Sequence, residues 1–177
     1  GLRSKTQLTQ QVLTTAKRLL VVGAFCIGTN QIDLVACERK GVAVFNAPFS
    51  NTRSVVELAL AEIILLLRGI PEKLHLMHDG VWDKSVHGAH EVRGKRLGIV
   101  GYGNIGSQLS NLAEAMGMRV IYFDQTDKLR HGNTEPGETL DDLLPASHVV
   151  SLHVPETPAP ANMIGAAQLR LMKPEAY

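Results

Sequence analysis

Cysteine is scarce: Cys26 and Cys37 are the only two in 177 residues, with neither a metal-ligand spacing nor the density of a disulfide scaffold. Both are expected to be reduced, as in a cytoplasmic protein, and no metal site is expected. Charge of one sign is also lacking. The formal net charge is +1, and no dense Lys/Arg stripe offers a footprint for nucleic acid, which is disfavoured as a partner. Long apolar runs are missing too: the longest, Leu58 to Leu67, is interrupted by Glu62 and is about half the roughly 20 residues a membrane-spanning helix needs. No membrane partner is expected, no signal peptide opens the chain, and there is no internal repeat or low-complexity tract. What is present is a hydrophobic share of 45% and a charged share of 20%, as in a globular protein with a sizeable core.

Apolar periodicity predicts an alternation of strands and helices. A polar-apolar stretch reads as a helix up to Lys17. Leu19 to Val22 then forms a continuous apolar run before Gly23, Ile32 to Lys40 has helical spacing and stops at Gly41, and Val42-Ala43-Val44-Phe45 reads as another short strand. Strand, helix, strand in this order marks an α/β layer with a parallel sheet. Asn46 to Asn51 breaks the pattern. Ser54-Val55-Val56-Glu57 has the form of a capping box, predicting a helix to about Arg68 whose apolar residues point nearly all round the axis. Such a helix is expected to be buried on more than one side, at a domain junction or subunit interface. Pro71 to Arg93 reads as helix and loop. The chain begins without Met and stops before a doubly wound nucleotide domain would complete its strands, so it is expected to be part of something longer.

The most informative segment is Arg96-Leu97-Gly98-Ile99-Val100-Gly101-Tyr102-Gly103-Asn104-Ile105-Gly106, an apolar strand running into Gly-x-Gly-x-x-Gly. Leu109, Leu112, Ala113 and Met116 continue it as a helix ending at Gly117, and Val120-Ile121-Tyr122-Phe123 ends on Asp124. The three glycines serve a tight turn, close approach of backbone to a pyrophosphate, and close packing of helix on strand. Phosphates then sit on a helix N-terminus. Asp124 follows at about the 20-residue interval of the carboxylate that takes the adenosine ribose hydroxyls, which argues for NAD over NADP. Further on, Thr139 to Leu144 reads as a short capped helix and Val149 to Val154 as a buried strand closed by Pro155.

Beyond the fingerprint, Phe25-Cys26-Ile27-Gly28-Thr29-Asn30-Gln31-Ile32-Asp33 and Phe45-Asn46-Ala47-Pro48-Phe49-Ser50-Asn51-Thr52-Arg53-Ser54-Val55 precede the glycines. Val149-Val150-Ser151-Leu152-His153-Val154-Pro155-Glu156-Thr157 and Leu171-Met172-Lys173-Pro174 follow them. In these motifs and their order the chain resembles the D-2-hydroxyacid dehydrogenase family, and within it the bacterial enzymes that act on phosphoglycerate. The resemblance implies an α/β fold of doubly wound parallel sheets: residues 1–48 as part of a flavodoxin-like substrate-binding domain and 49–177 as a Rossmann-type NAD-binding domain, incomplete at its C-terminal end. It implies that Arg3, Ser4 and Lys5 grip a substrate phosphate, with Lys5 where arginine is common and hence without the planar fork. Backbone amides near Phe25 and Cys26 would hold the substrate carboxylate. Asn51 matches a polar residue at the cleft, and Lys84, near Trp82, a segment reaching the active site or a neighbouring subunit.

For the cofactor, the resemblance puts Asn104 and Ile105 beside the pyrophosphate with Gly101, Gly103 and Gly106, Asp124 on the ribose, and His153, Val154 and Pro155 beside the nicotinamide ribose. His153 reads as a hydrogen-bonded structural histidine rather than a base. The family's catalytic Arg, Glu and His have no counterpart up to Tyr177, so this chain alone is expected to be inactive. His148 stands where aspartate is common in the family. The implied reaction of the parent protein is oxidation of 3-phospho-D-glycerate to 3-phosphohydroxypyruvate with NAD, the first step of L-serine biosynthesis, by a homodimer or homotetramer. The alternatives are another NAD-dependent D-2-hydroxyacid dehydrogenase and an NAD-binding corepressor-like protein. Two cations near Arg3 favour a phosphorylated 2-hydroxy acid as substrate.

Overall fold

The computed structural model describes residues 1–3, 5–154 and 163–177. They form two compact units, Gly1–Thr52 and Arg53–Tyr177. In the first, strands β1 (Val21–Ala24) and β2 (Ala43–Asn46) pair in parallel, with Val22 opposite Val44. Helices α1 (Gln10–Thr15) and α2 (Leu34–Lys40) accompany them. Thr9 caps α1 and Asp33 caps α2, its carboxylate accepting from the Ala36 N–H at 2.9 Å, while Gly41 ends α2 in the left-handed region at φ 69. Capping satisfies N–H groups that a helix start leaves without partners. Leu8, Leu13, Val22, Ile32, Cys37 and Val42 make up most of a small core.

The first strand extends past its predicted end. Gly23 and Ala24 pair with Phe45 and Asn46 of β2, and Leu2 runs along their other side: its N–H donates to the Gly23 carbonyl and its carbonyl accepts from the Phe25 N–H. A third backbone thus holds Gly23 extended, where local sequence alone suggested a stop.

The second unit contains four parallel strands, β3 (Arg96–Val100), β4 (Arg119–Phe123), β5 (Glu135–Pro136) and β6 (Val149–Leu152), in the order β5-β4-β3-β6. Pro136, which cannot donate to a ladder, sits on the two-residue edge strand where none is needed. The side chains alternate between two packed faces. Leu97, Ile99, Val120, Tyr122 and Val149 pack with Leu109 and Ala113 of helix α5 (Asn104–Ala115) and with Val56, Ile63 and Leu67 of α3 (Thr52–Leu67). Val100 and Ile121 face Leu143 and Leu144 of α6 (Leu140–Ala146), with Met172, just after α7 (Ala166–Leu171), packed nearby. Coverage on both faces explains why these strands read as continuous apolar runs.

Helix α3 departs from expectation in two ways. It begins at Thr52, two residues before the capping box, and Glu57 accepts from the Arg53 Nε at 2.6 Å instead of reaching back to Ser54. It is also buried on one side only within this chain: Val56 is 0% exposed, yet Leu58 is 60% and Leu65 41% exposed. The segment after it contains α4 (Ile70–His78), which starts beyond Gly69 and ends before Trp82, itself 68% exposed.

Helix α6 lies so close to β3 that a Cβ on Gly98 would collide with the Ser147 hydroxyl and come within 2.6 Å of the Leu143 side chain. Overpacking of this kind costs about 1–3 kcal/mol. Gly98→Ala is therefore expected to lower the urea-unfolding free energy by that amount, and a variant as stable as the parent would show that α6 is not clamped on the strand.

Candidate functional site

The turn from β3 into α5 is shaped by side chains that are missing. Gly101 has φ 94, and a Cβ there would lie 2.5 Å from the His153 carbonyl oxygen. A Cβ on Gly106 would run into the Gly101 carbonyl oxygen and lie 3.0 Å from the Ile99 side chain. Both positions admit only glycine, the first for the turn and the second for the approach of helix to strand. Gly103 differs: its φ of −86 suits any residue, and a Cβ there would meet nothing within 4 Å. Folding leaves that space open in front of the helix, which is the room a pyrophosphate needs. No side chain caps α5, so the first-turn N–H groups around Asn104, Ile105 and Gly106 face outward beside the positive end of the helix dipole.

Asp124 is fixed from two sides. Its Oδ2 accepts from the Tyr102 N–H at 2.8 Å, and its Oδ1 accepts from the N–H and the hydroxyl of Thr126, each at 3.0 Å. Lys128 Nζ lies 3.9 Å away. Burial pushes the Asp124 carboxyl up, but the amides of Thr126 and Tyr102, the Thr126 hydroxyl and Lys128 together outweigh it and hold the group below its usual range. Its stabilising contribution is therefore present above the unfolded-state value of about 3.9 and lost as pH falls through the lower folded value. Three accepted bonds leave room on Oδ2 of an ionised carboxylate for one more donor.

Beneath the loop, the Tyr102 ring stacks on Tyr122 with centroids 3.8 Å apart. Its hydroxyl lies 2.8 Å from Ser110 Oγ and 3.3 Å from Thr134 Oγ1. The residue between the first two glycines is thus anchored by both its side chain and its amide.

Gly101, Gly103, Asp124, His153 and Val154 come together around one cavity of about 310 Å³, with Phe123, Thr126, Lys128 and Met163 also lining it. His153 Nε2 is 2.9 Å from Ser151 Oγ, and burial lowers the imidazole's pKa, so it is a neutral, hydrogen-bonded ring at neutral pH. Pro155 and Ser4 lie outside the described residues. In the first unit, Leu2 pairs with Ala24, which sets Arg3 in register beside Phe25. Arg3 and Lys5 are exposed, and no ion pair among the described residues involves them. The Phe25 amide is already committed to the Leu2 carbonyl at 2.9 Å, so in this structure it is not a free donor for a carboxylate. Cys26 Sγ contacts the Gly28 carbonyl at 3.3 Å and accepts from the Gln31 Nε2 at 3.1 Å, as a packed thiol does. Asn51 and Lys84 are exposed, and neither is among the residues that line the cavity. Among the described residues no cluster of His, Cys, Asp and Glu is placed to hold a metal ion, and no helix is long and apolar enough to cross a membrane.

Sequence reasoning missed Thr126, Lys128 and the double anchoring of Tyr102. A signal existed for Thr126, since an Asp whose carboxylate binds the amide two residues on is an Asx turn.

Residues 60–177 match the family described as D-isomer specific 2-hydroxyacid dehydrogenase, NAD binding domain. The chain belongs to that family. As a member of the D-isomer specific 2-hydroxyacid dehydrogenases it carries their NAD-binding domain, and the open Gly103 cradle with ionised Asp124 fits that cofactor. The chain is 56% identical over 174 residues to D-3-phosphoglycerate dehydrogenase of Escherichia coli (strain K12), covering 98% of this chain and 42% of that one. It is 50% identical over 177 residues to the enzyme of the same name from Dictyostelium discoideum, covering 100% and 44%. The chain therefore spans about two fifths of the length of these relatives. A solved structure of D-lactate dehydrogenase with NAD+ from Lactobacillus jensenii superposes with a TM-score of 0.84 at 27% identity, over 99% of this chain and 54% of that one.

Because the Gly103 Cβ space is empty of protein, Gly103→Val separates folding from binding. Its unfolding free energy is expected to stay within about 0.5 kcal/mol of the parent, as at a neutral surface position, while NAD affinity measured by calorimetry falls roughly tenfold or more, about 1.4 kcal/mol. Unchanged affinity would mean that the dinucleotide does not pass over Gly103.

Proposed function

We propose that the protein to which this chain belongs oxidises 3-phospho-D-glycerate to 3-phosphohydroxypyruvate with NAD, the entry step of serine synthesis. The observation that carries this reading is the pair of exposed cations Arg3 and Lys5, in no ion pair among the described residues, with Arg3 in register beside Phe25. Identity of 50–56% to proteins named D-3-phosphoglycerate dehydrogenase supports it. An unphosphorylated hydroxy acid has no need of two cations there, whereas a phosphate dianion gains charge-assisted hydrogen bonds from both.

Bound NAD would supply the acceptor for the hydride that leaves C2 of the substrate. The chain's own residues bind and orient. The N-terminal amides of α5 would hold the pyrophosphate, with Gly103 leaving the room for it, and the ionised Asp124 would accept from a ribose hydroxyl. His153 and Val154, followed by Pro155, flank the nicotinamide ribose, and the neutral His153, held by Ser151, shapes the pocket without serving as the base. Arg3, Ser4 and Lys5 take the substrate phosphate, and the Cys26 amide takes the carboxylate. Asn51 contributes a polar group at the cleft, and Lys84 supplies a cation to the active site or to a neighbouring subunit. The two free thiols support a cytoplasmic setting.

The protein acts as a homodimer or homotetramer, in which a second copy covers the outward face of α3. Leu58 and Leu65 on α3 and Leu74 and Met77 on α4 are large apolar side chains left at least 41% exposed, and large apolar side chains left to solvent are candidates for burial against a partner. Leu58→Glu is expected to move the sedimentation coefficient of the intact protein toward the monomer; a parent that already sediments as a monomer contradicts the oligomer.

For the substrate, kinetics of the full-length protein with phosphorylated and unphosphorylated 2-hydroxy acids decides. Arg3→Ala is expected to raise KM for 3-phosphoglycerate by roughly tenfold or more, as loss of a charge-assisted bond does, and to leave glycerate or lactate unaffected. Equal effects on both classes would remove the phosphate assignment.

A further inference from the structure

Strands β3 and β6 have a second populated end. The nucleotide cavity lies where they finish, at Gly101 and His153; where they begin, another cavity of about 390 Å³ is lined by His90, Lys95, His148, Lys173 and Glu175. We propose that this second cavity is a binding site for a small phosphate monoester, separate from the nucleotide site.

The donors point to that chemistry. His148 Nδ1 accepts from the Arg96 N–H at 3.0 Å, which fixes the ring proton on Nε2 and makes that nitrogen a donor. Lys173 Nζ gives one hydrogen bond to the Ala146 carbonyl at 3.0 Å and keeps two N–H donors. No ion pair among the described residues involves Lys95, Lys173 or Glu175, so neither ammonium group in the lining is tied to a carboxylate. Burial first, and then Lys173, Lys95, Arg96 and His90, hold the His148 pKa below its ordinary value, as a concentration of positive charge around the ring does.

Two lysines and a histidine present point donors rather than the planar fork of an arginine, and point donors suit a tetrahedral dianion better than a planar carboxylate. Leu67 and Pro174 supply an apolar wall, so the ligand carries a short organic part beside its phosphate; cavities of a few hundred Å³ hold ligands of that size. Glu175 is the single carboxylate in the lining and opposes the anion. The position, at the start of the strands, keeps this site independent of the dehydrogenase reading, which uses the other end.

The test follows the ring signals of the seven histidines by NMR while the 177-residue chain is titrated at constant ionic strength with glycerol 2-phosphate, and separately with inorganic phosphate. Expected are saturable shifts of His148 and His90, a rise in the His148 titration midpoint on saturation, and half-saturation weakened roughly fivefold or more in Lys95→Gln and in Lys173→Gln. Glu175→Gln is expected to tighten it. NAD titrations of the Lys95→Gln chain, unchanged from the parent, verify that the fold is intact, and Lys173→Gln gives a second reading where capping of α6 is weakened. Shifts that do not saturate, that are as strong in both lysine variants as in the parent, or that are abolished by excess NAD would overturn the site. Saturation by inorganic phosphate with no gain from the glycerol moiety would overturn the monoester assignment.

Discussion

The structure depends on one steric constraint, the contact of helix α5 with the turn that precedes it. Gly106 has no room for a Cβ above the Gly101 carbonyl, and Gly101 has none beside the His153 carbonyl. Because both side chains are absent, the helix N-terminus is drawn to the end of β3 and β6 is drawn alongside it. The N–H groups that the helix cannot satisfy internally then face the end of the sheet, next to the last residue of β4, and the dipole adds its positive end. In an open parallel sheet the carboxyl ends of the strands are where ligands bind. Here the close approach of backbones creates that binding place before any ligand arrives.

A second layer of interactions makes the place rigid. Tyr102 is held below by Tyr122, Ser110 and Thr134, and its amide is spent on Asp124. Tyr122 in turn donates to the Lys128 carbonyl at 3.2 Å, so the loop carrying Thr126 and Lys128 hangs from the same stack. The glycine turn around Tyr102 and the Asp124 carboxylate are therefore one mechanical unit. Preorganised donors and acceptors of this sort add affinity by reducing the ordering cost of binding.

Much of this was legible in the sequence, and for identifiable reasons. The strand-turn-helix around Gly101 reads clearly because each glycine answers a different local requirement, and Asp124 follows at a spacing set by one helix and one strand. What local pattern could not supply came from distant partners. β1 runs on through Gly23 because β2 and Leu2 lie on its two sides, and α3 starts at Thr52, with Glu57 paired to Arg53 rather than turned back to Ser54. The all-round apolar composition of α3 was read as burial on several sides, but Leu58 and Leu65 stay exposed in a single copy; composition records the covering of a helix without saying which chain provides it. The Phe25 amide likewise could not be known to be occupied until the strand-like pairing of Leu2 was seen. The basic cavity around His148 joins residues 90, 95, 148 and 173, which only the parallel crossing of β3 and β6 brings together.

On the proposed reading Asp124, held ionised and in place by Tyr102 and Thr126, sets the preference for NAD over NADP. Calorimetric titration of the 177-residue chain with each dinucleotide decides this. An ionised carboxylate beside the adenosine ribose would accept from a 2′-hydroxyl and repel a 2′-phosphate, a difference of several kcal/mol between right and wrong partners at close range. Saturable NAD binding is expected, with NADP bound at least roughly hundredfold more weakly, about 2.7 kcal/mol. Equal affinity for the two, or no binding of NAD, would rule the assignment out.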